Sequence, residues 1–324
     1  MIKTKLDKGV FKSEDGSQSW EQKINLFSLA GEPKTIAGAD ATALCFDPQD
    51  SQTLYFGTDK DGLFVSFDGA DSWQKVRNLP EGKISALALH PKAKNVVYVG
   101  IEKRIFKSID CCRSWQNIHL EVAEVYSLAI DPISSSRVYA GLSDGRMILS
   151  TSGGTSWSTI KNFGASVKQI LINPLDGRII YAITQGAGFH KSRDGGVSWE
   201  SLDESLKNFP GAREVVKVIL DKARPDTLII LSQFGLLRSD DGGQTWTDYK
   251  LLTDPGKVKI YSFVAGPEDF SNLYYVTAST LYKSVDNGKN WITKKLPTSE
   301  MPVELLIDPA SPNILYLGVA KLNE

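Results

Sequence analysis

Short apolar runs recur in pairs along this chain, and each pair is split by a polar turn. The pairs read ALCFDP…LYFGT, ALALHP…VYVGI, SLAIDP…VYAGL, QILINP…IYAIT, KVILDK…LIILS, SFVAGP…LYYVT and ELLIDP…LYLGV. Runs of this length, rich in β-branched and aromatic residues and bounded by turn residues, predict strands. After every pair but the last comes a third apolar run that ends in serine, such as GLFVS or RIFKS, and a fourth that opens at tryptophan, such as SWQKV. The hydrophobic pattern therefore predicts a unit of four short strands, repeated along the chain.

The turn between the third and fourth runs is itself a repeat. Its copies are SEDGSQSW (Ser13–Trp20), SFDGADSW (Ser66–Trp73), SIDCCRSW (Ser108–Trp115), STSGGTSW (Ser150–Trp157), SRDGGVSW (Ser192–Trp199), SDDGGQTW (Ser239–Trp246) and SVDNGKNW (Ser284–Trp291). Every tryptophan of the chain ends one copy, at positions 20, 73, 115, 157, 199, 246 and 291, so the spacings are 53, 42, 42, 42, 47 and 45 residues. A period in this range marks a solenoid or a propeller. Four strands in each of seven units predict an all-β, seven-bladed β-propeller.

The two ends carry half a unit each. Residues 1–23 hold a turn copy with no preceding D-P element, and residues 303–319 hold a D-P element with no following turn copy. Pairing the inner strands VELLID and ILYLG with the outer strands GVFKS and SWEQK completes the seventh blade and covers strand edges that would otherwise invite aggregation. Residues 1–324 then read as one propeller domain.

In each turn the Asp is expected to accept hydrogen bonds from backbone N–H groups of its own turn. The glycines supply positive φ. The Trp is expected to fold back over its blade and add core at the periphery. In the fourth copy Ser152 stands for the Asp. These residues resemble the BNR or Asp-box repeat, S-x-D-x-G-x-x-W, and the resemblance covers the whole chain. Families with such repeats include sialidases, xyloglucan-degrading glycoside hydrolases, sortilin-type receptors and photosystem II assembly factors. The resemblance implies the propeller fold and no single activity.

Composition narrows the function. The chain has 324 residues, 37 basic and 38 acidic, with a net charge of −1. That balance gives no support for a nucleic-acid or membrane-surface role, and no apolar run is long enough to predict a membrane span. The N-terminal MIKTKLDKGV lacks the apolar segment of a secretion signal. The expected location is therefore the cytoplasm, or an exported compartment if a signal has been removed. Cys45, Cys111 and Cys112 do not cluster with His90, His119 or His190, so no metal site and no cofactor is expected. Cys111 and Cys112 are adjacent and are read as two thiols in a turn.

Catalytic machinery is not legible. The resemblance to sialidases would imply an arginine triad and an early R-I-P signature, which is missing. The resemblance to xyloglucan-degrading enzymes implies a cleft between two seven-bladed domains, and this chain has residues for one. A glycosidase needs two facing carboxyl groups, and the acidic turn residues Asp59, Asp61, Glu102 and Asp144 read as solvated. No catalytic residue is assigned. His190 falls in a strand-three column with Phe11, Phe64, Phe106, Ile148, Leu237 and Tyr282 and is expected to pack. His90 replaces the Asp of a D-P turn.

Binding is expected on the face that carries the non-repetitive loops. Its charged turns offer Asp59, then Glu102, Lys103 and Arg104, then Asp144 and Arg146. Two longer loops, Ile24–Ala41 and Ser201–Glu214, are expected to cap the channel mouth or meet a partner. In strand one, Ala43, Ala86, Ser127, Gln169, Lys217, Ser262 and Glu304 form one column, and a uniformly apolar column follows it. Alternation predicts that the apolar column packs between blades and that Gln169, Lys217 and Glu304 point into the channel. The reading that results is a non-catalytic propeller binding a protein partner, as the assembly-factor resemblance implies. The alternative is a glycan-binding or glycoside hydrolase-like propeller.

Overall fold

The computed structural model describes residues 7–27, 35–266 and 270–321. These form 28 strands and one 3-10 turn, Asp203–Leu206. The strands make seven antiparallel four-stranded sheets, the seven-bladed β-propeller that the repeats predict.

Blade 1 runs from Ala41 to Lys75, blade 2 from Ile84 to Leu120, blade 3 from Val125 to Asn162, blade 4 from Val167 to Ser201, blade 5 from Val215 to Asp248 and blade 6 from Ser262 to Lys295. In each, the four strands lie side by side in chain order. Blade 7 joins the two ends of the chain, in the order Glu21–Lys23, Gly9–Ser13, Leu315–Ala320, Met301–Ile307. Gly9 pairs with Val319 and Ser13 with Leu315.

The chain divides into two compact units, residues 85–259 and residues 1–84 with 260–324. In the first, Val138, Ala140 and Ile148 of blade 3 pack with Ala86 and Tyr98 of blade 2. Tyr181 and Phe189 of blade 4 pack with Val218, Leu228 and Ile230 of blade 5. In the second, Leu305 and Leu317 of blade 7 pack with Tyr274 and Val276 of blade 6, while Tyr316 packs with Leu44 and Phe56 of blade 1. Blades 3 and 4 approach so closely that a Cβ on Gly141 would sit 2.6 Å from Val167 Cγ1 of blade 4, and it would also clash with Ser127 Oγ of its own blade. Only glycine fits there.

The Ser-to-Trp turns show why their residues recur. Asp194 Oδ1 accepts from the N–H groups of Val197 and Ser198, and Ser192 Oγ accepts from Gly196 N at 2.8 Å. Two consecutive residues take left-handed φ: Gly195 and Gly196 at 77° and 95°, and Cys111 and Cys112 at 57° and 65° in the copy without glycine. Ser152 accepts one main-chain N–H, from Ser156 at 3.0 Å.

The turn also latches onto the preceding blade. Tyr98 Oη and Lys107 Nζ donate to Gly153 O at 2.9 and 2.7 Å. Tyr139 and Arg137 hold Gly195 O in the same way, and Lys191 Nζ holds Gly242 O at 2.8 Å. In the other unit Lys283 reaches Gly16 O, and Tyr316 reaches Gly69 O. A buried ammonium is costly unless it is hydrogen-bonded. Burial pushes Lys107, Lys191 and Lys283 below the usual lysine range, and the turn carbonyls give them their partners.

Some tryptophans reach across a blade boundary, while Trp291 packs 5.0 Å from Tyr275 of its own blade. Trp157 lies 5.4 Å from the ring of His119 in blade 2, and Trp199 lies 5.2 Å from Phe163 at the end of blade 3. Trp73 donates to Lys23 O of blade 7. Trp73 and Trp246 are the most buried, at 0% and 8% exposed, and the two long loops account for it. Asn25 O accepts from Trp73 N, and Trp73 O accepts from Phe27 N, both at 2.8 Å. Ser205 Oγ accepts from Trp246 Nε1 at 2.9 Å, and Leu202 and Leu206 pack around that indole. The described parts of Ile24–Ala41 and Ser201–Glu214 thus cover indoles, a role not among those expected of them. Residues 28–34 of the first loop lie outside the described residues.

Candidate functional site

The expected binding residues fall in different surroundings. In blade 1, half-buried Asp59 stands 3.9 Å from Lys83 Nζ. Lys217 and Glu304 are half-buried. The Cys45 thiol is pushed up to about 12 by burial, with the carboxylates of Glu304 and Asp47 adding to the rise. Half-buried Gln169 is tied to the first strand of the next blade. Its Nε2 donates to Val218 O at 3.0 Å, and its Oε1 accepts from Val218 N at 2.9 Å. The same column repeats the device: Ser127 Oγ donates to Val167 O at 3.1 Å, and Ser262 Oγ accepts from Leu305 N at 3.1 Å. Alternation separates the two faces of a strand, but it does not say whether a polar side chain spends its hydrogen bonds on a ligand or on the next blade. For Gln169 the neighbouring main chain takes both.

The remaining candidates come together between blades 2 and 3. Glu102 holds a left-handed φ of 52° in the turn between the second and third strands of blade 2. Glu102, Lys103 and Arg104 are all exposed. The loop after blade 2 bonds back to this turn, with Glu121 N donating to Lys103 O and Val125 N to Glu102 O, each at 2.8 Å. Ser143 N in blade 3 donates to Glu124 O at 2.8 Å, and Ser143 Oγ accepts from Glu124 N at 3.0 Å. Main-chain bonds thereby fix three loop segments around an open, shallow pocket of about 580 Å³. It is lined by Lys103, Val122, Ala123, Glu124, Tyr126, Ser143 and Asp144.

A chain of charges forms one edge. Arg146 donates to Asp144 Oδ2 at 2.8 Å and to Glu121 Oε2 at 2.7 Å, and Glu121 Oε1 meets His119 Nε2 at 3.0 Å. Burial raises the Glu121 carboxyl, but hydrogen bonds from His119 and Arg146 outweigh it and leave the group below its ordinary value. Both carboxylates hold Arg146 above its usual range. Lys168 Nζ sits 3.7 Å over the Tyr126 ring. Burial raises the Tyr126 phenol, and the nearby Glu124 carboxylate raises it further.

Asp144 and Arg146 are thus ion-paired at the rim, and Glu102 and Arg104 flank the same corner. Glu121, Val122, Glu124, Tyr126 and Ser143 were not foreseen. Their one sequence signal is an apolar Val122 set in an acidic loop, EVAE. Among the described residues no group of three or more His, Cys, Asp or Glu is placed to hold a metal ion, and no helix is long and apolar enough to cross a membrane.

No family model matches the chain. The oligoxyloglucan-reducing end-specific xyloglucanase of Emericella nidulans is 29% identical over 82 residues, 23% of this chain and 10% of that protein. Among solved structures, the GH74 xyloglucanase of Xanthomonas campestris superposes with a TM-score of 0.69 at 17% identity, over 87% of this chain and 51% of its own. A structure of YCF48 bound to D1 peptide superposes with a TM-score of 0.66 at 16% identity, over 93% of this chain and 96% of its own. The chain therefore spans about half the length of the xyloglucanase and nearly all of YCF48. At these identities the likeness is one of fold.

Proposed function

We propose that this chain is a non-catalytic propeller of the Asp-box type, acting as one domain, that binds a protein partner through its variable-loop face. The observation that carries the reading is the pocket between blades 2 and 3. Main-chain bonds from three loops preform it, and its rim carboxylate Asp144 is engaged by Arg146. A preformed, polar, open pocket on a rigid scaffold suits recognition. The likeness in length to a structure described as bound to a peptide supports the same reading. Glu102, Arg104, Asp144 and Arg146 are assigned to this surface; Asp59, Gln169, Lys217 and Glu304 carry no further argument for a ligand.

A pull-down from the native source tests this. One stable protein partner, lost on Asp144→Lys/Arg146→Glu exchange, is the expected result. A second reading, glycan binding or cleavage, draws on the two carboxylates and the tyrosine that line one pocket. Release of reducing sugar from xyloglucan, abolished by Glu124→Gln or Asp144→Asn, would establish that reading and remove the first.

A further inference from the structure

The Ser-to-Trp turn of blade 3 keeps the donors of its counterparts but not their carboxylate. In Asp15, Asp110, Asp194, Asp241 and Asp286 the carboxylate accepts four donors. They are the hydroxyl of the serine before it, two N–H groups after it and one side chain after it. For Asp194 these come from Ser192, Val197 and Ser198. In blade 3 the same places hold Ser150, Thr155 and Ser156, and Ser152 offers them a single oxygen. That oxygen accepts from Ser156 N at 3.0 Å and lies 3.3 and 3.2 Å from the hydroxyls of Ser150 and Ser156. Among the described residues Thr155 N has no acceptor. Ser152, Thr155 and Ser156 are exposed, so the turn faces solvent with more donors than acceptors. N–H groups beside residues of left-handed φ, here Gly153 and Gly154 at 66° and 102°, form an anion-binding concavity.

The charge behind the turn lacks its usual counterpart too. Lys107 Nζ of blade 2 donates to Gly153 O at 2.7 Å, and among the described residues it has no ion-pair partner. Burial lowers all three latch lysines, but the carboxylates of Asp226, Glu200 and Asp241 work against it at Lys191, and that of Asp15 at Lys283. Asp241 and Asp15 belong to the turns that those lysines latch. At Lys107 burial acts alone, because Ser152 stands where the next turn would carry its aspartate. The surrounding turns do not make up the difference. His90–Asn95 carries Lys92 and Lys94 and no acid, and Ser150–Trp157 carries no charge. Asp110 is spent on its own turn. Asp131 is buried, accepts from the N–H groups of Ile133 and Ser134, and has Arg137 Nε at 3.9 Å.

We infer that the turn Ser150–Trp157 binds a carboxylate, free or carried by an acidic side chain, held by the N–H of Thr155 and the hydroxyls of Ser152 and Ser156 and attracted by the charge of Lys107. The donor set selects the ligand, because the same arrangement holds a planar two-oxygen group in five other turns of this chain. The site lies on turns that the partner-binding reading does not use, and it stands or falls separately.

The test follows the amide NMR signals of Thr155 and Ser156 in the full chain during titration with sodium acetate, against sodium chloride at equal ionic strength. Acetate should move both signals saturably, and chloride should not. Ser152→Asp and Ser152→Asn each put an acceptor oxygen into the turn and should abolish the response. Lys107→Met should weaken acetate binding roughly threefold or more, and Lys107→Arg should retain it. A capped Ala-Asp-Ala tripeptide that binds more tightly than acetate would assign the site to an acidic side chain; one that binds no more tightly would assign it to a free carboxylate. Signals that stay still, that move equally with chloride, or that move in Ser152→Asp as they do in wild type would overturn the inference.

Discussion

Gln169 closes a two-way hydrogen bond with the main chain of Val218, giving its amide nitrogen to the carbonyl and its amide oxygen to the N–H. A carboxylate can satisfy only half of this arrangement. Gln169→Glu should therefore place an acceptor against an acceptor, and Gln169→Ala should leave both main-chain groups without the bond. We expect either change to cost about 1–3 kcal/mol, measured by urea denaturation. An unaltered midpoint would mean that the strands hold without the bridge.

The turn copy without aspartate should be improvable. Ser152 accepts one main-chain N–H where Asp194 accepts two and a serine hydroxyl as well. Ser152→Asp should raise stability by about 1 kcal/mol, seen as a higher melting temperature. A lower one would show that the site is tuned to the hydroxyl.

Acid should act on these turns together. Hydrogen bonds from the following serine hydroxyl and N–H hold Asp15, Asp110 and Asp194 at about 2, below the unfolded value of about 3.9. The unfolded chain binds more protons in that interval, so these groups contribute stability above about pH 4 that is lost as pH falls toward 2. Melting temperatures across that range should fall, and should fall less in a variant with Asp194→Asn.

His90 adds a step at higher pH. Its Nδ1 accepts from Lys92 N at 3.0 Å, the role that Asp131 plays toward Ile133 N. Burial, then the charges of Lys107 and Lys92, lower its pKa. Burial also lowers His190, which stacks 4.7 Å from Phe163. Both therefore oppose folding once the unfolded histidine, with a value of about 6.5, takes up its proton. Stability should drop as pH falls through that value, and His90→Asp should shrink the drop. A variant that melts with the wild-type pH profile would remove His90 from the account.

Trp246 tests the covering loop. Its indole is buried beneath Leu202 and Leu206 and bonds Ser205. Trp246→Ala should cost about 3–5 kcal/mol, and Ser205→Ala about 1 kcal/mol, by chemical denaturation. Equal melting of Ser205→Ala and wild type would show that packing alone seats the indole.

What could be read from the sequence is what repeats. Trp, Asp, Gly and the apolar pairs recur because each blade solves the same packing problem, and their period exposes the fold. The lysines of RIFKS, GFHKS and TLYKS repeat too, yet their role as latches emerges only when Lys107 and Gly153 of successive blades are seen together. The pocket was partly legible. Glu102, Arg104, Asp144 and Arg146 stand out as charges in turns, whereas Val122 and Tyr126 reach the same place from a loop and a strand that share no periodic signal with them. Gln169 stood out as a polar residue of the strand-one column, but its bridge to Val218 did not, because a polar column can serve the next blade as readily as a ligand.

Blade 7 sets the order of events at birth. Gly9 meets Val319 across 310 positions of chain, so the strand Gly9–Ser13 must wait for Leu315–Ala320. Contacts this distant in sequence are slow to form. A ribosome-bound chain can complete the other sheets one by one, but it cannot shut the seventh until the strand Leu315–Ala320 has emerged, and until then Gly9–Ser13 is an open edge for chaperones to shield.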